Sequence, residues 1–173
     1  MKKPAALAAA LAFVAAIVAA NYVTTRYGFV SVGLGLTATA GTYFAGAALG
    51  LRDLIQDGLG KRATLVVIAI GAVVSYAVSD PRIATASAVA LLLSEVADLA
   101  VYTPLRQRSW PAAVLASNTV GAFVDTVVFL TVAGFFTWGA VSGQMVGKVI
   151  WATLVPLGLI YVIQSARQAT ARA

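Results

Sequence analysis

The chain contains no cysteine and no histidine among its 173 residues. These absences exclude disulfide bonds, thiolate nucleophiles, histidine-based triads and the ordinary zinc sites. Acidic residues are also scarce, since six Asp and Glu stand against twelve Lys and Arg. No P-loop is present, so any ATP-driven step requires a partner. We therefore expect neither a catalytic site nor a metal or cofactor.

Charge is low and apolar content is high. Charged residues make up 10% of the chain and hydrophobic residues 61%, whereas soluble domains carry about 25% charged residues. The mean hydropathy of +0.92 predicts an integral membrane protein, and the length suits a single domain. The net charge of +6 is then explained by cytoplasmic loops and does not indicate a nucleic-acid partner.

Six apolar segments predict an all-α membrane domain with six transmembrane helices. They cover residues 5–25, 32–51, 63–79, 83–102, 112–137 and 145–164. A signal peptide is the alternative for the first segment, because a basic start and small residues near Ala20 fit one. The apolar run continues to Val23 and reaches spanning length, which favours a helix.

The basic residues are distributed unequally between the two sides of this six-helix arrangement. Nine Lys and Arg fall on the side that carries both termini, and only Arg26 and Arg82 fall on the other. Positive residues favour the cytoplasmic side. The sequence thus predicts a multi-pass protein of the cell membrane with both termini in the cytoplasm.

Three carboxylates lie within the apolar segments, at Glu95, Asp98 and Asp125. An ionisable group at membrane depth costs about 2.5–3.5 kcal/mol on insertion scales and usually marks a function. Glu95 and Asp98 share one helical face. By helical rise, Glu95 lies roughly 10 Å and Asn118 roughly 9 Å from the cytoplasmic ends of their helices, which predicts contact. Asp98 has an alternative role as a cap or interfacial residue.

Asp125 and Lys148 are predicted at similar depths, at roughly 20 and 24 Å, so they are expected to pair. The pair fits a binding role, or a structural role that fixes helix register, and Lys148 can also snorkel outward. A carboxylate, an amide and aromatic rings together suit a planar ligand with several N–H donors. Composition alone does not identify that ligand.

Small residues recur at helical spacing in the first two segments. An alanine stripe runs along the first segment, and Gly46 and Gly50 are one turn apart in the second. Such faces allow close helix approach or self-association, although alanine is simply abundant here.

The order of several motifs resembles the queuosine precursor transporter (VUT, vitamin-uptake-transporter-like) family, over about Asn21 to Tyr161. These motifs are Ala20-Asn21-Tyr22, Arg52-Asp53-Leu54, Arg82-Ile83-Ala84-Thr85-Ala86-Ser87, Asp98, Leu105-Arg106-Gln107, Ser117-Asn118, Asp125-Thr126, Phe129, Lys148-Val149 and Pro156. The resemblance implies six helices akin to the substrate-binding components of energy-coupling-factor transporters. It also implies import of a deazaguanine.

With the resemblance, the predicted substrate-binding residues are Asn21, Asp53, Arg82, Glu95, Asp98, Asn118, Asp125 and Lys148. Glu95 or Asp98 would accept the paired N–H groups of a deazaguanine. The short connection Asp80-Pro81-Arg82 departs from the family pattern, which bears on how the pocket closes from outside. The lipid bilayer and a small-molecule substrate are the expected partners, with an energising membrane partner or self-association as further options.

Other classes of function compete with this interpretation. One is a substrate-binding subunit for another small vitamin-like solute, and another is a purely structural subunit. The segment Asp53-x-x-x-Asp57-Gly58-x-x-x-Arg62 is similar to the metal-binding start of CDP-alcohol phosphatidyltransferases. Its spacing is wrong by one residue and no second aspartate pair follows, so an enzyme is the weaker alternative.

Overall fold

The structure is a computed structural model that describes residues 3–154, except the side chains of residues 49, 53, 57, 106, 110, 111, 114, 115 and 151–154. Helices and one hairpin follow each other in chain order. They are α1 (Lys3–Tyr27), β1 (Phe29–Gly33), β2 (Leu36–Thr39), α2 (Thr42–Leu59), α3 (Lys61–Val78), α4 (Pro81–Arg106), α5 (Trp110–Ala133) and α6 (Trp138–Val146), which continues as a π-helix (Gly147–Leu154).

Local sequence signals explain where several helices begin and end. Asp80 caps α4, because its carboxylate accepts hydrogen bonds from the backbone N–H groups of Arg82 and Ile83, and proline is well tolerated in the first turn that follows. Thr137 caps α6 by accepting from the backbone N–H of Ala140 at 3.0 Å. Gly134 ends α5 in the left-handed conformation, at φ 78°, which glycine adopts without strain.

The predicted second helix over residues 32–51 is wrong in its first part. Residues 29–39 form an antiparallel hairpin with a register irregularity between Ser31 and Gly33. The turn needs positive φ at Gly33, Leu34 and Gly35, and two of these positions are glycine. Alternation of β-branched and small residues on either side of a Gly-x-Gly turn is a hairpin signal, and a count of apolar residues alone does not register it.

Helix α2 extends further than predicted. It includes the polar stretch from Arg52 to Leu59, which lies beyond the predicted end of this helix at residue 51. Helix α4 likewise continues through Pro104 to Arg106, beyond the predicted end at 102. The sixth helix begins at Trp138, before the predicted 145, and the predicted residues 155–164, with Pro156, lie outside the described residues.

Within residues 3–154, four helices are long and apolar enough to cross a membrane. They are Lys3–Tyr27, Lys61–Val78, Pro81–Leu105 and Ala116–Ala133. Helix α2 has 18 residues, but Arg52, Asp53 and Asp57 lower its hydropathy. The fold is therefore an all-α membrane architecture with a small β-hairpin at one end, and the six predicted spans go beyond these four.

Helix α1 lies at the centre and packs on α2, α3 and α4, while α4 and α5 form the most extensive helix pair. The main apolar core joins α1, α2, α3 and α4 through Phe13, Ile17, Ile55, Ile68 and Leu91, among others. Glycine permits two close backbone approaches around this core. A methyl group at Gly41 would strike the backbone of Ala20, and one at Gly143 would strike the carbonyl of Thr37.

The bundle has two distinguishable ends. The hairpin end carries the β-hairpin, the α3–α4 junction and the start of α6. The basic end carries the start of α1, the α2–α3 junction and the α4–α5 turn, where Lys61, Arg62 and Arg108 are exposed.

Candidate functional site

A cavity lies inside the bundle, nearer the hairpin end. It is walled by the C-terminal half of α1, the N-terminal parts of α2 and α4, the C-terminal half of α5, strand β2, α6 and the π-helix. The lining residues are Ile17, Ala20, Asn21, Thr24, Thr39, Gly41, Thr42, Ala45, Ala48, Ser87, Leu91, Asp125, Phe129, Gln144 and Lys148. More than half of these side chains are apolar or small, and the polar ones converge from several elements.

The free space in this cavity is small. The volume open to the centres of water molecules is about 40 Å³, and one water needs about 10–15 Å³ on this measure. The cavity thus holds a few water molecules as it stands. A heterocyclic ligand requires side chains or helices of the wall to move outward.

Neutral polar groups line the side of the cavity near the hairpin. Asn21 is 2% exposed and its amide donates to the Ser75 hydroxyl at 3.0 Å. Gln144 is equally buried and donates to the Thr39 hydroxyl at 2.9 Å. Thr39 also lies 3.3 Å from the Thr42 hydroxyl. These bonds tie α1 to α3 and α6 to the hairpin.

A buried ion pair also lines the cavity. The Lys148 ammonium lies 2.7 Å from Asp125 Oδ2 and also donates to the Thr126 hydroxyl at 2.8 Å. Asp125 and Lys148 are 8% and 3% exposed. The pairing predicted from their depths is confirmed. Lys148 stands in the π-helix, and such departures from α-helical geometry are frequent at functional sites.

The cavity therefore combines a carboxylate, an ammonium, amides and hydroxyls with the aromatic ring of Phe129. Such a wall can accept N–H groups and donate to ring nitrogen or carbonyl oxygen of one polar, planar molecule. Among the side chains that the structure describes, no group of three or more acidic residues could hold a metal ion.

A second ion pair lies beyond the cavity, towards the basic end. Arg52 on α2 and Glu95 on α4 approach to 3.1 Å, and their side chains are 6% and 8% exposed. Each residue follows a cavity-lining residue of its own helix by four positions, Ala48 on α2 and Leu91 on α4. The pair thus lies one helical turn, about 6 Å, from the cavity lining.

A sequence profile of the family described as "Putative vitamin uptake transporter" matches residues 7–164. The chain belongs to this family. The match begins inside α1 and includes all the later helices that the structure describes. No curated protein and no solved structure gives a significant match.

Membership of the vitamin uptake transporter family assigns the general class. The family name denotes membrane transporters, and transport is not an enzymatic activity. The apolar helices agree with a multi-pass membrane protein. In a transporter, a polar cavity within an apolar bundle is the natural position for substrate.

The structure brings three of the predicted site residues together at the cavity. They are Asn21, Asp125 and Lys148. Glu95 is buried nearby but faces Arg52. The roles of these residues in binding stay predictions.

The remaining predicted residues lie elsewhere. Asn118 is exposed on α5, whereas Glu95 is buried on α4, and the contact between them stays a prediction. Asp98 is half-buried, and its Oδ1 is buried without a hydrogen-bond partner in the described part of the chain. Arg82 is exposed at the start of α4, and the side chain of Asp53 lies outside the described residues.

Sequence reasoning missed the polar groups contributed by the hairpin region. Thr39 and Thr42 were placed within a predicted helix, so their position beside Gln144 could not be foreseen. Arg52 lies just beyond the predicted helix 32–51, so the sequence does not indicate it as a partner for Glu95. The signal available for Arg52 was its position one turn after Ala48, on the buried face of an α2 longer than predicted.

Proposed function

We propose that this protein imports a deazaguanine-type precursor of queuosine, held in the cavity between Asn21, Gln144 and the Asp125–Lys148 pair. The proposal includes six membrane spans with both termini in the cytoplasm, so that the hairpin end faces outward. Exposed Lys61, Arg62 and Arg108 at the basic end support this orientation. Arg52 is one of the nine basic residues counted on this side, but its side chain is buried and does not support the orientation.

The observation that carries the proposal is the polar cavity inside a transporter-family bundle. Buried polar groups at membrane depth are costly unless they are bonded or functional. Here they converge from α1, α5 and α6 on one volume. A purely structural subunit has no need for such a volume.

The chemistry of the wall suits a deazaguanine. Such a base presents N–H groups beside a carbonyl oxygen on one edge, and a carboxylate and an ammonium are complementary to that edge. Asp125 and Lys148 supply these two groups. Phe129 lines the same cavity and offers an aromatic ring to the flat face of the base.

Another small vitamin-like solute with the same pattern of donors and acceptors is the second candidate. The family description favours it, because that description names vitamins in general. An energising membrane partner, as in energy-coupling-factor transporters, and self-association belong to the proposal as further options. Competition experiments distinguish the two solute classes.

The test is uptake of a radiolabelled deazaguanine by proteoliposomes that contain the purified protein. Asn21→Ala removes a cavity amide. Loss of one neutral hydrogen bond, worth about 0.5–1.5 kcal/mol, should raise the substrate concentration for half-maximal uptake by up to about tenfold. Asn118→Ala is the matched control, because it removes the same side chain from an exposed position. Its uptake should equal that of the parent.

Two results would contradict the proposal. If the parent protein shows no saturable uptake of deazaguanine, a deazaguanine is not its substrate. If Asn21→Ala and Asn118→Ala change uptake equally, at equal amounts of folded protein, the cavity is not the binding site. Saturable uptake of a radiolabelled vitamin that excess unlabelled deazaguanine does not reduce would favour the second candidate.

A further inference from the structure

The Arg52–Glu95 ion pair lies between the cavity and the basic end, one helical turn beyond the cavity lining on both α2 and α4. On α2 it follows Ala48, and on α4 it follows Leu91, both of which line the cavity. Further along α2, Ile55 is fully buried and belongs to the same apolar core as Phe13. Any path from the cavity to the basic end between α2 and α4 therefore meets the ion pair first and apolar side chains next.

The helices that carry this pair have their main contacts elsewhere. Helix α2 packs chiefly on α1 and the π-helix, and α4 packs chiefly on α5 and α3. The ion pair thus bridges two helices whose backbones are held mainly by other neighbours. Moving α2 away from α4 breaks this bridge and little other close backbone packing between the two helices.

We propose that Arg52 and Glu95 form the barrier that closes the transport path on the basic side of the cavity. The substrate then leaves between α2 and α4 when the pair separates. This inference rests on the proposed function, because it assumes that the cavity holds the substrate. It gives Arg52 a role in transport, and it gives Glu95 a role in gating in place of ligand recognition.

The chemistry of the pair fits a barrier that opens and closes. Two buried charges are stable only when they face each other, so a partly open arrangement that separates them without water is disfavoured. Complete opening admits water from the basic end, which solvates both charges. The pair therefore favours two discrete arrangements, as alternating access requires.

The test uses the absence of native cysteine, since a single introduced cysteine is then the sole thiol. Ala48→Cys places a thiol of similar size in the cavity wall, at a position 2% exposed. A membrane-impermeant, charged methanethiosulfonate reagent is applied to the basic side of oriented membrane vesicles. The rate of labelling reports access from that side without any transported substrate.

In the Ala48→Cys protein, labelling from the basic side should be slow. Adding Glu95→Gln removes one charge with little change of shape, and labelling should accelerate at least about tenfold, a population shift that needs only about 1.4 kcal/mol. The charge-swapped combination Arg52→Glu with Glu95→Arg should restore slow labelling. Ligand recognition by Glu95 would not be restored by this exchange.

Asp80→Asn is the matched control, because it removes a carboxylate charge from the other end of α4 while Asn keeps the capping function, and it should leave labelling from the basic side slow. The comparison includes only variants whose purified protein stays monodisperse in mild detergent, which shows that they fold. Equal labelling rates with and without Glu95→Gln would overturn the proposal, and so would failure of the charge swap to restore protection. Because the assay needs no substrate, a failed deazaguanine uptake experiment leaves this test intact.

Discussion

Separating Asp125 from Lys148 should destabilise the bundle strongly, and the effect can be estimated from the geometry of the pair. The two charges are 2.7 Å apart, and both residues are at least nine-tenths buried. Removing one partner of such a pair typically costs about 3–5 kcal/mol, because the other charge is left buried alone. Water in the cavity reduces that figure towards its lower end.

The thermodynamic cycle uses Asp125→Asn, Lys148→Met and the double substitution. Each single change should lower the free energy of unfolding by about 3 kcal/mol. The double change should cost less than the sum of the two, with a coupling of about 0.5–3 kcal/mol for groups in contact. Lys148 also donates to Thr126 at 2.8 Å, so Thr126→Val serves to separate this weaker contribution.

The measurement is unfolding of the purified protein in mixed micelles with increasing mole fraction of sodium dodecyl sulfate, followed by circular dichroism. Additivity of the two single changes, within about 0.5 kcal/mol, would refute direct pairing. The uptake assay on the same proteins separates stability from transport.

Three further predictions concern the ends of the bundle. A reporter inserted at Leu34, which is 82% exposed, should read external, and one beside Arg108 should read cytoplasmic. The reverse result would contradict the proposed orientation. Gly143→Ala should destabilise by about 1–3 kcal/mol in the same micelle titration through overpacking against β2, whereas Gly139→Ala, with its nearest neighbour 3.9 Å away, should be neutral. Asp80→Ala should lower stability by about 1 kcal/mol through loss of the α4 cap, and an unchanged titration midpoint would argue against it.

The membrane class and most helices followed from apolar run length, because the hydrocarbon thickness fixes the length that a spanning helix needs. The Asp125–Lys148 pair followed from the same regular rise per residue. Such reasoning needs helical backbone on both partners, and it held although Lys148 stands in a π-helix, because an estimate of depth does not depend on which helical face a residue occupies.

It failed where backbone geometry changes. The hairpin from Phe29 to Thr39 is apolar enough to resemble the start of a span, and its strand period was hidden by glycine and alanine. The long α2 was divided at Arg52 because charges normally mark a helix end at the membrane surface. A buried partner on another helix overrides that rule, and nothing local to Arg52 in the sequence identifies Glu95 as that partner.

The ion pair between α2 and α4 also sets an order of events during synthesis. Arg52 emerges from the ribosome long before Glu95, since the whole of α3 lies between them. An arginine at the centre of a segment disfavours insertion by about 2.5–3.5 kcal/mol. We therefore expect α2 to insert poorly into the bilayer until α4 is present. Its final position is acquired late, when the second charge is already in the membrane, so truncation before α4 should leave α2 at the membrane surface.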